Sequence, residues 1–174
     1  MMVNEKELAY IMPMARLRIP KFAQPLNDAM REFAIDTAVR QAAFLAQIAH
    51  ESGEFRYVKE IAAGEAYEGR KDLGNVCAGD GPRFRGRGLI QITGRDNYEL
   101  CGRSLGLDLL HSPELLEEPV HAARSACWFW HLKGLNELAD KGDFKLITKR
   151  INGGYNGYKD RLKYWERAKW ILEA

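Results

Sequence analysis

The stretch AQIAHESGEF, residues 46–55, closes an alanine-rich segment, TAVRQAAFLAQIAH (37–50), that has the spacing of a helix. Phe44, Ile48 and Glu51 fall at positions i, i+4 and i+7, so they share one face of the predicted helix. An apolar environment and a helix C-terminus both disfavour negative charge. Both effects favour the protonated form of Glu51, which a general acid needs. A solvated surface glutamate is the alternative interpretation of the same position.

Helical patterns recur through most of the remaining chain. They predict helices near residues 4–12, 20–33, 36–52, 96–105, 113–133, 143–151 and 158–173. Asp36 or Thr37 is the predicted N-cap of the third helix and Gly53 its C-terminal stop, while Asp143 is the predicted N-cap of the sixth. The last helix carries basic residues, and we expect it to pack on the protein rather than on a membrane.

The segment from residue 61 to residue 94 is the exception, because eight glycines interrupt it. An irregular stretch of this length inside a compact domain is usually functional. Its end, FRGRGLIQITG (84–94), alternates in a way that predicts a short hairpin. The predicted fold is therefore mainly α, a helical domain with one long loop or small β-hairpin on one side of a substrate cleft.

The overall composition excludes several classes of protein. With 174 residues, 46% hydrophobic and 29% charged, the chain fits one globular domain. Its net charge of +2 gives no reason to expect nucleic-acid binding, and it has no apolar run near the ~20 residues that span a bilayer. The N-terminus has no apolar core typical of a secretion signal. Cys77, Cys101 and Cys127 predict free thiols, with Cys127 in the core and Cys77 exposed.

Most catalytic motifs are absent from the sequence. The residue four positions after His50 is Glu54, so His50-Glu51 does not begin a zinc-binding HExxH. The other histidines lack a cluster of ligands, and the glycines complete neither a phosphate loop nor a dinucleotide fingerprint. No nucleophile elbow is present. Paired carboxylates remain, because a second, ionised acid near Glu51 could activate water on the opposite face of a sugar.

Four segments in order, AHESGEF (49–55), YEGRKDLGN (67–75), GDGPRFRGRGLIQITGRDNY (79–98) and INGGYNGYKDRLKYW (151–165), resemble glycoside hydrolase family 19. More narrowly, they resemble its bacteriophage endolysin and predicted-chitinase branch. The resemblance runs from about Gln41 to Trp165. It implies a lysozyme-like helical domain over residues 1–174, with an N-terminal helical part (1–35) and a family-like core (36–174).

The resemblance implies the catalytic residues. Glu51 matches the general acid of the family and Glu60 its general base, with Glu65 and Glu68 left open as alternatives for the base. Thr93 matches the hydroxyl that holds the attacking water. The implied mechanism is inverting, which requires carboxyl groups roughly 6.5–9.5 Å apart, and it needs no metal or cofactor.

The resemblance also implies a set of substrate-binding side chains: Gln91, Asn97, Tyr98, Asn152, Arg161 and Tyr67. Asn97 and Tyr98 are expected to line the sugar groove, and Asn152 to bond an N-acetyl group. Arg161 matches a cleft arginine near the carboxylates, although a surface ion pair is an alternative. Tyr67 either stacks on a sugar or simply packs.

Two polymers are possible substrates, chitin and peptidoglycan. The small single domain, with neither a chitin-binding module, a disulfide framework nor a signal peptide, favours the N-acetylmuramic acid to N-acetylglucosamine bond of peptidoglycan. A non-catalytic glycan-binding module is a further alternative. The expected protein is an endolysin that acts as a monomer on peptidoglycan glycan strands. It would be made in the host cytoplasm and reach the wall after a separate protein permeabilises the membrane, without binding nucleic acid or inserting stably in the membrane.

Overall fold

A computed structural model describes residues 2–174, and their regular structure is almost entirely helical, as predicted. The α-helices in these residues are α1 (Glu5–Ile11), α2 (Ile19–Glu32), α3 (Ala38–Glu51), α4 (Asp80–Arg83), α5 (Arg95–Leu105), α6 (Pro119–Leu132), α7 (Leu135–Asp140), α8 (Phe144–Asn152) and α9 (Tyr158–Leu172). Short 3-10 turns lie at Pro13–Ala15, Glu65–Tyr67, Lys71–Leu73 and Pro113–Glu117.

Helix α3 is the central helix of the fold. Thr37 caps its N-terminus by accepting a hydrogen bond from the backbone N–H of Arg40, and Gly53 turns the chain away with a φ of 55°. Residues 41–49 are all buried, so the whole middle of the helix lies in the core rather than one face alone. The capping residues predicted from local sequence are therefore confirmed, and Glu51 is the last residue of a well-anchored helix.

The other long helices pack around α3. Helix α9 runs against it, α1 packs on α9, and α2 packs on α6. One large hydrophobic cluster includes side chains from all five helices, such as Leu8, Leu26, Phe44 and Trp130. The rings of Phe44 and Trp130 meet edge to face, with centroids 5.4 Å apart. The described residues before position 36 thus contribute to the same core as the residues that follow them.

A second, smaller cluster supports the glycine-rich segment. It is formed by Phe84, Ile92, Tyr98, Cys101, Leu105, Leu109, Leu116 and Trp128. These residues come from the end of the segment, from α5 and from α6. The cluster fixes the end of an otherwise irregular segment against the helical body.

Two helical predictions need correction. The single helix expected near 113–133 is a 3-10 turn followed by α6, because Pro119 forces the residue before it out of the helical region, and Glu118 has a ψ of 138°. Helix α7 was not predicted. It has only six residues and follows Gly134, whose φ is 63°, so it is too short to give a periodic pattern.

The glycine-rich segment forms only a minimal β element. Isolated antiparallel bridges join Lys59 to Arg87 and Arg87 to Ile92. The Arg87 and Ile92 backbones exchange two hydrogen bonds of 3.1 and 2.8 Å. The side chains of Lys59 and Arg87 both reach Glu117, at 3.1 and 3.0 Å. The predicted hairpin is therefore reduced to one tight turn that an ion-pair cluster anchors to the body.

Helix α9 packs with its apolar side inward, as predicted. Tyr164, Ala168 and Leu172 are buried, and Trp165 stacks on Phe144 with centroids 4.4 Å apart. Within residues 2–174 no helix has the length and apolar content required to cross a bilayer. All three cysteines are free, with Cys77 exposed and Cys127 buried, as predicted, and Cys101 is buried as well.

Candidate active site

Glu51 is held at the end of α3 by an arginine from α9. Its Oε1 lies 2.7 Å from Nη1 of Arg161, while about a quarter of its side chain stays exposed. The same Nη1 donates to Oε1 of Gln47 at 2.6 Å, and Nε donates to the carbonyl of Asn156 at 3.1 Å. Gln47 lies one helical turn before Glu51, so the two acceptors face the guanidinium from one side of α3.

Arg161 is only 1% exposed, which leaves no surface for a sugar to touch. The structure therefore places it behind Glu51 instead of among the substrate-binding side chains. A buried guanidinium is stable only when its charge and donors are matched, and Glu51 supplies the negative charge. Arg161 lies in α9, more than a hundred residues after Glu51, so its burial could not be predicted from local sequence.

Glu60 is held by neutral donors. Its Oε1 accepts a hydrogen bond of 2.8 Å from the hydroxyl of Tyr67, and its Oε2 accepts one of 3.1 Å from the N–H of Gly86. The N–H of Glu60 donates to the carbonyl of Gly86 at 2.8 Å. Burial and the bond to Glu60 both raise the pKa of Tyr67, so its hydroxyl remains a donor. The arrangement fixes the Glu60 carboxylate without neutralising it.

The other nearby glutamates have different surroundings. Glu68 accepts hydrogen bonds of 2.7 Å from the N–H groups of both Gly79 and Gly81, so it holds the glycine-rich segment together. Glu65 is exposed, and its carboxylate makes no polar contact within residues 2–174. Among the three candidates for the base, Glu60 is the one fixed against the GRG turn. Tyr67 was expected either to stack on a sugar or to pack, and in the structure its hydroxyl also fixes Glu60.

Gln91, Thr93 and Asn97 lie together around a small pocket of about 150 Å³. The opposite wall comes from α6 and the residue after it, and includes Trp128 and Lys133. Sequence reasoning missed this wall, because an apolar run ending in lysine gave no signal beyond a core helix. Gln91 also packs on the GRG turn, where a Cβ at position 86 would lie 2.5 Å from its Oε1.

Two predicted sugar-binding residues differ in outcome. Tyr98 is fully buried in the second cluster, where its hydroxyl accepts a hydrogen bond of 3.0 Å from Arg87 and donates to the carbonyl of Arg85. The structure contradicts its placement on the surface of the groove. Burial raises the pKa of this phenol far above its usual range.

Asn152 ends α8 half-buried, and its side chain makes no hydrogen bond within the described residues, 2–174.

Comparison with known proteins identifies the family. Residues 34–139 match the glycoside hydrolase family 19 description "Chitinase class I". A Haemophilus influenzae protein named as containing a glycosyl hydrolase family 19 domain is 31% identical over 197 residues, covering 95% of this chain and 94% of its own length. The chain belongs to glycoside hydrolase family 19.

Other members of family 19 give the same relationship. An Arabidopsis thaliana endochitinase is 42% identical over 133 residues, which cover 76% of this chain but only 45% of the endochitinase. The crystal structure of chitinase C from Streptomyces griseus superposes with a TM-score of 0.79 at 25% identity, over 99% of this chain and 77% of that protein. A class IV family 19 chitinase from Zea mays gives a TM-score of 0.66 at 26% identity, over 99% and 83%. The helical glycoside hydrolase fold expected from the motifs is confirmed.

Within this family 19 chain, the residues that support the site were the hardest to find from sequence. Gln47 and Thr148 are joined by a hydrogen bond of 2.9 Å in the core, and Asn156 bonds Arg161 through its carbonyl. A glutamine at i−4 from Glu51 in an apolar helix was a usable signal, since buried amides require partners. The Asn156 carbonyl gave no signal, because any residue type could supply it.

Proposed function

We propose that this chain hydrolyses the β-1,4 bond between N-acetylmuramic acid and N-acetylglucosamine in peptidoglycan by an inverting mechanism. The observation that carries the chemistry is the contrast between the two acids. Half-buried Glu51 faces the guanidinium of Arg161, whereas Glu60 is held by a hydroxyl and an N–H. Two separately held carboxyl groups are the groups that an inverting glycosidase requires.

In the proposed reaction Glu51 protonates the oxygen of the leaving sugar. Glu60 removes a proton from a water molecule that attacks the anomeric carbon from the opposite face, and the Thr93 hydroxyl holds this water. The C–O bond to the leaving sugar breaks as the new C–O bond forms, so the anomeric configuration inverts.

The pocket beside Thr93 supports a muramic acid substrate. Apolar side chains, the amides of Gln91 and Asn97, and Lys133 line this pocket, and no acidic side chain is among the residues that line it. Pockets for drug-sized ligands measure from about 300 Å³ upward, so 150 Å³ suits one substituent better than a sugar ring. The lactyl group of muramic acid has a methyl group for the apolar wall and a carbonyl or carboxylate oxygen for Lys133, and chitin lacks this group.

Chitin is the second candidate substrate. The names of the Arabidopsis, Streptomyces and Zea mays relatives support it. Gln91, Asn97 and Asn152 would suit any N-acetylated polymer, because amides can pair with both hydroxyl and acetamido groups. As part of the peptidoglycan proposal, the protein acts as a monomeric endolysin on the wall after a separate protein permeabilises the membrane.

Digestion of both polymers separates the candidates. Wild type and Glu51→Gln are incubated with purified peptidoglycan and, separately, with chitin oligomers, and the products are identified by mass spectrometry. We expect muropeptides with a new reducing end on N-acetylmuramic acid from the wild type only. Cleavage of chitin alone would replace the substrate and keep the mechanism. Binding of folded wild type to the wall without cleavage of either polymer would favour a non-catalytic module.

A further inference from the structure

The chain makes an unusual turn directly after Glu51. Gly53, Glu54 and Phe55 have φ values of 55°, 58° and 64°, so three successive residues are left-handed. Glycine adopts this conformation freely, but residues with a Cβ are strained in it. The strain must be offset by contacts that Glu54 and Phe55 make elsewhere.

Those contacts come mainly from the N-terminal part of the chain. Glu54 is 7% exposed, and its carboxylate accepts hydrogen bonds of 2.6 Å from the N–H of Met14 and from the hydroxyl of Tyr164. Nε of Arg18 donates to the carbonyl of Glu54 at 3.2 Å. Burial and the bond to Glu54 raise the pKa of Tyr164, so its hydroxyl stays protonated as a donor.

Phe55 is fixed from the same direction. Its ring stacks on Phe22 of α2, with centroids 4.8 Å apart and planes 21° apart. Its N–H donates to Oγ of Ser52 at 2.9 Å, and this hydroxyl in turn donates to the carbonyl of Ile48 at 2.6 Å. The N–H of Glu54 donates to the carbonyl of Ala49 at 2.8 Å. The turn therefore supplies the hydrogen bonds that complete the last turn of α3, where Glu51 lies.

We propose that residues 13–22 act through Glu54 and Phe55 as a positioning element for Glu51. Met14, Arg18 and Phe22 lie before residue 34, where the match to the family model begins, although similarity to whole relatives extends over 95% to 99% of the chain. Glu54 is a positioning residue, because it is buried against Met14 and Tyr164 and contacts no exposed surface of the site. The inference rests on the proposed function, since it takes Glu51 as the general acid.

Two conservative variants test the proposal. Glu54→Gln keeps the shape of the side chain but removes the charge that strengthens both hydrogen bonds, and Tyr164→Phe removes only the hydroxyl. A misplacement on the order of 1 Å lowers a rate roughly 100-fold, so we expect kcat to fall about 10-fold in each variant. KM should stay within about twofold, because transition-state contacts are lost and ground-state contacts are kept. The double variant should be no slower than Glu54→Gln, since both changes act on the same hydrogen bond, the one between Tyr164 and Glu54.

Asn136→Ala is the matched control. Asn136 is 8% exposed, accepts a hydrogen bond of 2.9 Å from Trp130 Nε1 and donates to the carbonyls of Phe33 and Ala34. The control should lower Tm as Glu54→Gln does but leave kcat at the wild-type value. All rates are measured well below Tm, on whichever of peptidoglycan and chitin oligomers the wild type cleaves.

Three results would overturn the inference. Unchanged kcat in both variants, or a rise in KM with kcat unchanged, would show that the turn does not set the acid. An equal loss of kcat in Asn136→Ala would show that kcat falls only because the protein is less stable. Failure of the wild type to cleave either polymer would instead overturn the proposed function, and this inference with it.

Discussion

Two acidic side chains dominate the site, and they are held in opposite ways. Glu51 faces the buried guanidinium of Arg161, and Glu60 faces the hydroxyl of Tyr67 and the N–H of Gly86. All three partners lie within the segments that resemble the family. Which of them meets which glutamate, however, is seen only in the structure.

Tyr67→Phe separates two roles of this tyrosine. The variant keeps the ring, and with it any stacking on a sugar, but loses the hydroxyl that fixes Glu60. We expect kcat to fall about 10-fold, equivalent to roughly 1.4 kcal/mol in the barrier, with KM unchanged. Steady-state kinetics on muropeptide chains measure both values. A rise in KM alone would assign Tyr67 to stacking.

Glu60→Gln and Glu65→Gln form a matched pair on one loop. General base catalysis contributes typically about 10²–10⁴-fold, so we expect Glu60→Gln to lose activity on that scale. Glu65→Gln should remain within about twofold of the wild type, because its carboxylate is exposed and makes no polar contact within residues 2–174. Initial rates of wall solubilisation measure both. The reverse ranking would move the base to Glu65.

At the level of single residues, the sequence predicted types of side chain better than their positions. The motifs identified Glu51, Glu60, Gln91 and Thr93 as candidates, and the structure places each half-buried with polar atoms partly free. Tyr98 shows the limit, because a motif match cannot distinguish a tyrosine that faces a groove from one that closes a second core. That distinction depends on where α6 packs.

The glycine-rich segment directly follows Glu60 and supplies its two partners, Tyr67 and Gly86, and it is ordered by polar contacts more than by apolar packing. Asp80 is 1% exposed and accepts a bidentate pair of hydrogen bonds of 2.6 and 2.9 Å from Arg95, with a third of 3.0 Å from the N–H of Cys77. Asn75 bonds the N–H of Arg95 at 2.9 Å. This element could be predicted as a loop from its glycines, but its internal bonds could not.

Acid should loosen this segment before the helical body unfolds. The hydrogen bonds from Arg95, above all, hold the pKa of Asp80 below its usual range, and burial only partly opposes them. A lowered folded pKa stabilises the fold above the unfolded value of about 3.9 and loses this effect as pH falls through the folded pKa. The protection factors of residues 61–94, which correct for the slower intrinsic exchange in acid, should therefore fall as the pH drops below about 3.9.

Variants isolate this effect from general acid unfolding. Asp80→Asn should exchange rapidly in this segment already at pH 5, because it lacks the charge. Asp72→Asn is the control, since Asp72 pairs with Arg70 in a bridge that is largely exposed and surface pairs contribute little. Equal protection of the segment in all three proteins at pH 5 would contradict the role of Asp80.

Over the whole molecule, one core joins the first helices to the last. Leu26 of α2 is 0% exposed and belongs to the same cluster as residues of α3, α6 and α9. Elements with strong local signals, such as α3 with its Thr37 cap, could be predicted within a residue or two. Their packing partners could not be predicted. Helices α3 and α9, for example, are in contact although more than a hundred residues separate them in the sequence.

A shared core predicts one unfolding transition. Leu26→Ala should lower stability by about 2–5 kcal/mol, as buried leucine truncations do. For a domain of this size that corresponds to a Tm shift of roughly 4–20 °C. Scanning calorimetry should show a single peak that moves as a whole. Two peaks, of which only one moves, would contradict a single domain of residues 1–174.

The most direct test of the account is the anomeric configuration of the first product. Peptidoglycan strands are digested in an NMR tube, and the proton signal of the new reducing end is followed before mutarotation. The arrangement of an acid at Glu51 and a water-activating base at Glu60 predicts that the α anomer appears first, and that it is absent with Glu60→Gln. Initial release of the β anomer, or unchanged release with Glu60→Gln, would contradict it.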